Sequence, residues 1–261
     1  MISVRGLTKK FGNHVAVDDI SFDVADGEIF AFLGPNGAGK TTTVKLLTTL
    51  LRPTVGEIRL NGFDPVHESA EARRTLGIVF QDSSLDDELT AFENLEFHGV
   101  LYGVPKKDRR ERIDQLLAFV GLNDRRSDLV KTFSGGMKRR LEIARGFLHH
   151  PKILFLDEPT LGLDPQTRRH IWEYVRQLNS DEGTTVFLTT HHMEEAERMA
   201  DRVAVIDQGR LVTQGTIADL KAQTSAANLE DAFIALTGKD LRDEKASSTE
   251  VMRTQLRAHR R

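Results

Sequence analysis

Residues 34–41 read GPNGAGKT and carry the densest chemistry in the sequence. The spacing G-x-x-x-x-G-K-T lies between an apolar run and a helix-compatible segment, which is the context a phosphate-binding loop requires. Gly34, Gly37 and Gly39 allow the chain to curl, with Pro35, Asn36 and Ala38 between them, so that backbone N–H groups face phosphate oxygens. Helix entry at Lys40, Thr41 and Thr42 adds the partial positive charge of a helix N-terminus. The Lys40 ammonium is placed to reach β and γ phosphates, and the Thr41 hydroxyl is placed to meet Mg²⁺.

A second constellation is ILFLDEPT at residues 153–160. A buried parallel strand delivers its last residues to the crevice where open α/β sheets bind ligands. There Asp157 would orient a Mg²⁺ shell, and Glu158 would act as general base on the water that attacks the γ-phosphorus. A third motif, FSGGMKRRLEIAR at residues 133–145, opens on Ser134, a natural helix N-cap, followed by Gly135 and Gly136. Exposed N–H groups at that helix start form a second anion site. Met137, Leu141, Ala144 and Leu148 recur at helical spacing and would hold the helix against a core.

The elements that must position these motifs follow from patterning. Short β-type runs at residues 2–4 and 20–24 suggest antiparallel strands before the loop. Strands are expected at 28–34, 76–80, 152–156, 184–189 and 203–206, and helices at 40–51 (stopped by Pro53), 166–178 and 193–200. Residues 82–148 change to helical character. The expected fold is α/β: a phosphate-loop NTPase core with a mainly parallel sheet, an N-terminal antiparallel β subdomain and an inserted α-helical subdomain at about 86–148. The main domain is placed at 1–220, a short extension at 221–238, and a flexible tail at 239–261 with seven Lys/Arg against four Asp/Glu.

Composition narrows the classes. With no cysteine, thiol catalysis, disulfides and Fe–S ligation are excluded, and a reducing cytoplasm is consistent. A formal net charge of -3 offers no global basic field for nucleic acid or anionic lipid. The N-terminal segment lacks the apolar core of a signal peptide, and no apolar run approaches the roughly 20 residues a spanning helix needs. A chain that does not enter the bilayer by itself is expected.

Taken together, the phosphate loop, LDEPT and the SGG-containing helix resemble the ATP-binding cassette (ABC) family over nearly the whole chain to about residue 238. Phe133 stands for the usual Leu of the family's signature and Met137 for its Gln. The resemblance implies further roles. Phe11 lies where an aromatic residue stacks on adenine. Gln81 matches the glutamine that touches Mg²⁺ and senses the γ-phosphate. Asp164, in LGLDP, matches the residue that couples two sites across a dimer. His191 matches the switch histidine, with His192 as the other possible register. Ser134, Gly135 and Gly136 would serve the ATP held by a second cassette, so that two copies close head to tail on two Mg·ATP and reopen after hydrolysis.

Met137, the basic triplet Lys138, Arg139 and Arg140, the stretch LTAFENLEFHGVLYGVP, THHMEEAE and NLEDAFIALTG look like bacterial ABC-2-type exporter cassettes. That implies an ATPase with ATP and Mg²⁺ as cofactors, an integral-membrane ABC-2-type permease as partner and a second cassette, as a homodimer within the transporter or as a related partner chain. It also implies a cytoplasmic place, peripheral on the inner face of the cell membrane through the permease. Residues 83–97 would form the cleft for a permease helix, with Leu85, Leu89 and Phe92 readable either as its lining or as core. No nucleic-acid partner is expected. The alternatives are an importer cassette and a non-transport ABC ATPase acting on nucleic acid or the ribosome. A kinase or GTPase lacks the signature, and no N-K-x-D guanine-reading sequence is present.

Overall fold

The computed structural model describes residues 2–238; the tail assigned to 239–261 lies outside the described residues. The chain opens with a long hairpin, β1 (Ile2–Phe11) and β2 (His14–Val24), and β4 (Val55–Leu60) joins it to make an antiparallel sheet of order β2-β1-β4. Apolar patterning at 2–4 and 20–24 marks only the ends of this hairpin. Its middle carries register shifts beside Leu7 and Lys9, and Asp19 adopts φ 52°, so strict alternation is lost there.

The second sheet has the order β5-β6-β7-β3-β8-β9, from β3 (Ile29–Leu33), β5 (Leu76–Val79), β6 (Ile153–Asp157), β7 (Thr185–Thr190), β8 (Arg202–Asp207) and β9 (Arg210–Gly215). It is parallel except at its edge, where β9 runs antiparallel to β8. Strands β4 and β9 escape the sequence patterning for a shared reason. Both are short edge strands whose alternate residues are exposed, and three of six residues in VGEIRL and four of six in RLVTQG are polar or glycine.

Side chains alternating across the central sheet separate two cores. Ala31, Leu33, Leu154, Leu156, Val186, Leu188, Val203 and Val205 face a helical layer. Phe30, Phe32, Phe155 and Phe187 face the other way; Phe30, Phe32 and Phe187 meet Phe22 of β2 and Phe155 meets Phe187, with ring centroids 5.5–6.0 Å apart. The antiparallel sheet and α1 (Lys40–Leu47) cover that second face. α1 ends a turn before the expected Leu51, because Thr49 takes φ 65° and the Leu50 and Leu51 N–H groups both fold back on the Lys45 carbonyl.

A short α2 (Ser69–Arg74) precedes β5, and α3 (Ala91–Leu101), α4 (Lys106–Phe119) and α5 (Gly135–Phe147) lie between β5 and β6. Helix does not begin at 82. Residues 81–90 form an irregular loop braced by Asn94, whose side chain accepts from Asp86 N–H at 2.9 Å and donates to the Asp86 carbonyl at 3.0 Å. The first helix there starts at a capping box in which Thr90 and Glu93 satisfy each other's N–H groups. Beyond β6, α6 (Pro165–Glu182) outruns the expected 178 and stops at Gly183, φ 64°. Helices α7 (Met193–Met199), α8 (Ile217–Thr224) and α9 (Leu229–Thr237) complete the layer. No helix among the described residues is long and apolar enough to cross a membrane.

Candidate active site

The loop between β3 and α1 folds as its glycines require. Gly37 and Gly39 adopt φ 77° and 106°, and a Cβ on Gly39 would sit 2.6 Å from the Ala16 carbonyl of β2. Any other residue at 39 would push the loop off the hairpin. Lys40 folds over this loop and donates from Nζ to the carbonyls of Gly34 at 2.7 Å and Pro35 at 3.1 Å. Ala38 is buried beneath the loop, and its N–H returns to the Pro35 carbonyl.

Beside this loop lies a cavity of about 560 Å³ whose lining includes Asn36, Gly37, Gly39, Lys40, Thr41, Thr42, Gln81, Glu158 and His191. Thus a set of residues more than 150 positions apart in sequence converges on one space. Strands β3, β6 and β7 are adjacent and parallel, so their C-terminal ends arrive together, and Gln81 follows β5 at the same edge. The lining also includes His14, Ala16 and Leu161, which carried no sequence signal of their own. Their place depends on how the hairpin tip and the segment after LDEPT pass the loop.

Asp157 and Glu158 occupy different environments. Asp157 is 2% exposed, receives the Thr189 hydroxyl at 2.6 Å and is hydrogen-bonded by the Thr41 hydroxyl. Burial pushes its carboxyl above the usual Asp value, against the pull of Thr189, Thr41 and Lys40. Glu158 stands at φ 48°, a left-handed conformation uncommon for a residue with a side chain. Its N–H donates to both the carbonyl and the hydroxyl of Thr189, each at 3.1 Å. Its carboxylate meets His191 Nδ1 at 2.8 Å and lies 3.8 Å from Lys40 Nζ. Burial alone would raise this carboxyl. The hydrogen bond and charge of His191, with the Lys40 charge, outweigh burial and hold it below the usual Glu value.

Of the two histidines, His191 therefore touches the carboxylate, while His192 stands at the N-cap position of α7 with no side-chain capping bond. Thr189, fully buried, orients both acids at once, and sequence reasoning placed it only as a strand residue. Thr41 and Gln81 are oxygen-bearing side chains that line the cavity together with Lys40 and glycine backbone, and Asp157 is tied to Thr41 by a hydrogen bond. Oxygen donors beside a cationic loop suit a hard divalent cation carried with a polyphosphate.

Other expected site residues do not line this cavity. Phe11 ends β1 at the hairpin tip opposite His14; its ring is 47% exposed, with Lys9 Nζ 5.0 Å from the centroid. Ser134 caps α5, its hydroxyl accepting from Met137 N–H at 3.3 Å, and both Ser134 and Gly135 are exposed. Asp164 caps α6 by accepting from the Gln166 and Thr167 N–H groups and the Thr167 hydroxyl. Thr167 in turn abuts Gly136, where an added Cβ would lie 3.0 Å from its methyl group. Within one chain, then, the signature turn and Asp164 form one exposed corner, separate from the phosphate-loop cavity.

With this geometry in view, the sequence pattern that defines the ABC transporter family matches residues 17–161, more than half of the chain. The chain is 44% identical over 229 residues to the daunorubicin resistance ATP-binding protein DrrA3 of Streptomyces coeruleorubidus, covering 88% of this chain and 72% of that one. It is 45% identical over 215 residues to the Nod factor export ATP-binding protein I of Ralstonia nicotianae, covering 82% and 67%. Among solved structures it resembles the dimeric, post-hydrolysis ATP-binding cassette MJ0796 bound to ADP and Pi. That match has a TM-score of 0.76 at 28% identity and covers 83% of this chain and 98% of the other.

Proposed function

This chain belongs to the ABC transporter family as an ATPase cassette, and from that premise we propose that it is the ATP-hydrolysing subunit of an ABC-2-type membrane exporter. The observation that carries the hydrolytic part is the contact of Glu158 with His191 and Lys40 at the phosphate loop. Held below the usual Glu value, the Glu158 carboxylate is ready to accept a proton from water at neutral pH, and His191 fixes its direction. Lys40 and the Gly34–Thr42 backbone hold phosphate oxygens. Thr41, Gln81 and Asp157 would hold Mg²⁺, which when bound neutralises charge developing on the phosphates. Phe11 would stack on the adenine at the hairpin tip.

Separation of the signature corner from the phosphate-loop cavity supports a composite site. Ser134, Gly135 and Gly136 of one cassette would close on ATP held by a second copy, with Asp164 at the same seam. The MJ0796 cassette, bound to ADP and Pi, is a precedent for association of two cassettes as a dimer. Export as the direction rests on the drug-resistance and Nod-factor relatives. Through its permease the chain would sit on the cytoplasmic face of the membrane. Leu85 and Phe92 pack against the core; the apolar side chains left open in this region are Phe97, Val100 and Leu101 of α3, which we assign to permease contact. We assign residues 1–220 to the cassette, 86–148 to its helical insertion and 221–238 to an extension.

Glu158→Gln keeps the shape of the side chain and removes the base. ATP should still bind within about threefold of wild type, hydrolysis should fall by at least about a hundredfold, and an ATP-bound dimer should accumulate on gel filtration. Turnover at the wild-type rate would remove Glu158 from the role of base.

A further inference from the structure

Of the basic triplet on α5, two members behave as surface cations: Lys138 pairs with Asp87 at 2.6 Å, and Arg140 donates to the Val120 carbonyl at 2.8 Å. Arg139 turns the other way. It is 7% exposed, and its guanidinium is enclosed by the chain ends that build the active site. Nε donates to the Pro159 carbonyl at 2.6 Å. One terminal nitrogen donates to the carbonyls of Asp157 and Glu158, each at 3.2 Å. The other donates to the Phe80 carbonyl and, at 3.0 Å, to the Glu142 carboxylate. A guanidinium has five N–H donors, and five acceptors are present here.

Three of those acceptors are successive carbonyls, those of residues 157, 158 and 159. Carbonyls of an extended strand point alternately to opposite sides, so turning three consecutive ones toward one cation demands a sharp change of direction. That change is the left-handed turn at Glu158, φ 48°. A fourth acceptor, the Phe80 carbonyl, immediately precedes Gln81. The same helix face continues the bracing: Glu142 accepts from Ser84 N–H at 2.9 Å, and Arg145 donates to the Ser84 carbonyl at 2.7 Å. Strain of this kind persists only where surroundings over-determine it, and here a buried cation on the carbonyl side joins the Thr189 bonds to the Glu158 N–H in doing so.

We propose that Arg139 is a positioning residue for ATP hydrolysis, clamping the backbone of Glu158 and of the Gln81 loop to the helix that begins at Ser134. This rests on the reading of Glu158 as base. The clamp acts through backbone carbonyls and leaves the phosphate loop alone, so it should govern turnover and not nucleotide affinity. It also ties the helix whose N-terminus serves the partner's nucleotide to the carboxylate that serves the chain's own.

Lysine supplies three donors from a single nitrogen and cannot reproduce the fork, which makes Arg139→Lys the decisive change. Arg139→Gln, carrying two donors and no charge, runs beside it. Kd for a fluorescent ATP analogue and kcat per bound nucleotide are measured for both. We expect kcat to fall about 10- to 100-fold for Lys and further for Gln, with Kd within about threefold of wild type. In a Glu158→Gln background, Arg139→Lys should still accumulate the ATP-bound dimer, because the signature helix itself is intact. The inference is overturned by unchanged kcat, by Kd rising in step with lost turnover, by failure of both variants to bind ATP, or by loss of the dimer in the double variant. Failure of the base assignment is read separately, from full activity in Glu158→Gln alone.

Discussion

Chemistry at the site depends on how single residues resolve competing demands. Burial favours the neutral form of any acid, yet Asp157 and Glu158 are adjacent, nearly inaccessible and shifted in opposite directions. Glu158 has the imidazole of His191 against it, whereas Asp157 is met mainly by neutral hydroxyls, with Lys40 a weaker influence. Two other histidines show the same burial cost, offset only in part at His149 by its contact with the Leu76 carbonyl at 2.9 Å. His98 and His149, 5.6 Å apart about the Tyr102 ring, are pushed by burial down to about 3 and about 4 respectively, so both are neutral in the folded chain. The unfolded chain binds protons at these groups from the ordinary His value downward. Stability from them is therefore complete above about pH 6.5 and is lost as pH falls toward 4, at up to about 1.4 kcal/mol per unit for each group. Urea midpoints should drop between pH 7.0 and 5.5, and the slope should be shallower in His149→Phe. An equal slope in that variant would assign the acid sensitivity to other groups.

At the scale of elements, the motifs were legible because each sits where a periodic segment ends. GPNGAGKT follows an apolar run, DE closes another, and Ser134 opens a helix whose apolar stripe was evident. Strands β4 and β9 were not, since edge strands with one solvated face carry half the apolar signal. Arg139 and Thr189 were hidden for a different reason. Residue type alone says nothing of whether a cation points to solvent or into a ring of carbonyls, and a threonine in an apolar strand reads as β propensity. Helix α3 is the converse case. Its apolar residues form no single stripe, and Phe97, Val100 and Leu101 remain 61%, 55% and 66% exposed beside a well-buried Leu95. An unfilled apolar face on an otherwise capped helix fits a partner surface. Leu101→Glu should change stability by no more than about 0.5 kcal/mol and leave ATPase activity of the isolated chain within about twofold. Recovery of an integral-membrane protein with the tagged chain from its native membranes should be lost. Undiminished recovery would move the permease contact elsewhere.

For the whole molecule, the consequential observation is that the phosphate-loop cavity is not lined by the signature turn or by Asp164, the corner proposed above to serve a second nucleotide. The phosphate-loop cavity is lined by Lys40 and Glu158, while Ser134, Gly135 and Asp164 are exposed and lie outside that lining. A closed two-fold dimer solves this, since each corner meets the other kind across the axis. Complementation tests that geometry. Lys40→Ala disables a chain's own loop, and Ser134→Arg blocks the corner it would offer its partner; each alone should be inactive as a homodimer. In a mixture, both lesions of a heterodimer fall in one site, and the other site combines an intact loop with an intact signature. With half the dimers mixed and one site in two competent, activity should recover to at most roughly a quarter of wild type. A mixture no more active than the average of its parts would mean that each ATP is served by a single chain, and the signature corner would need another ligand.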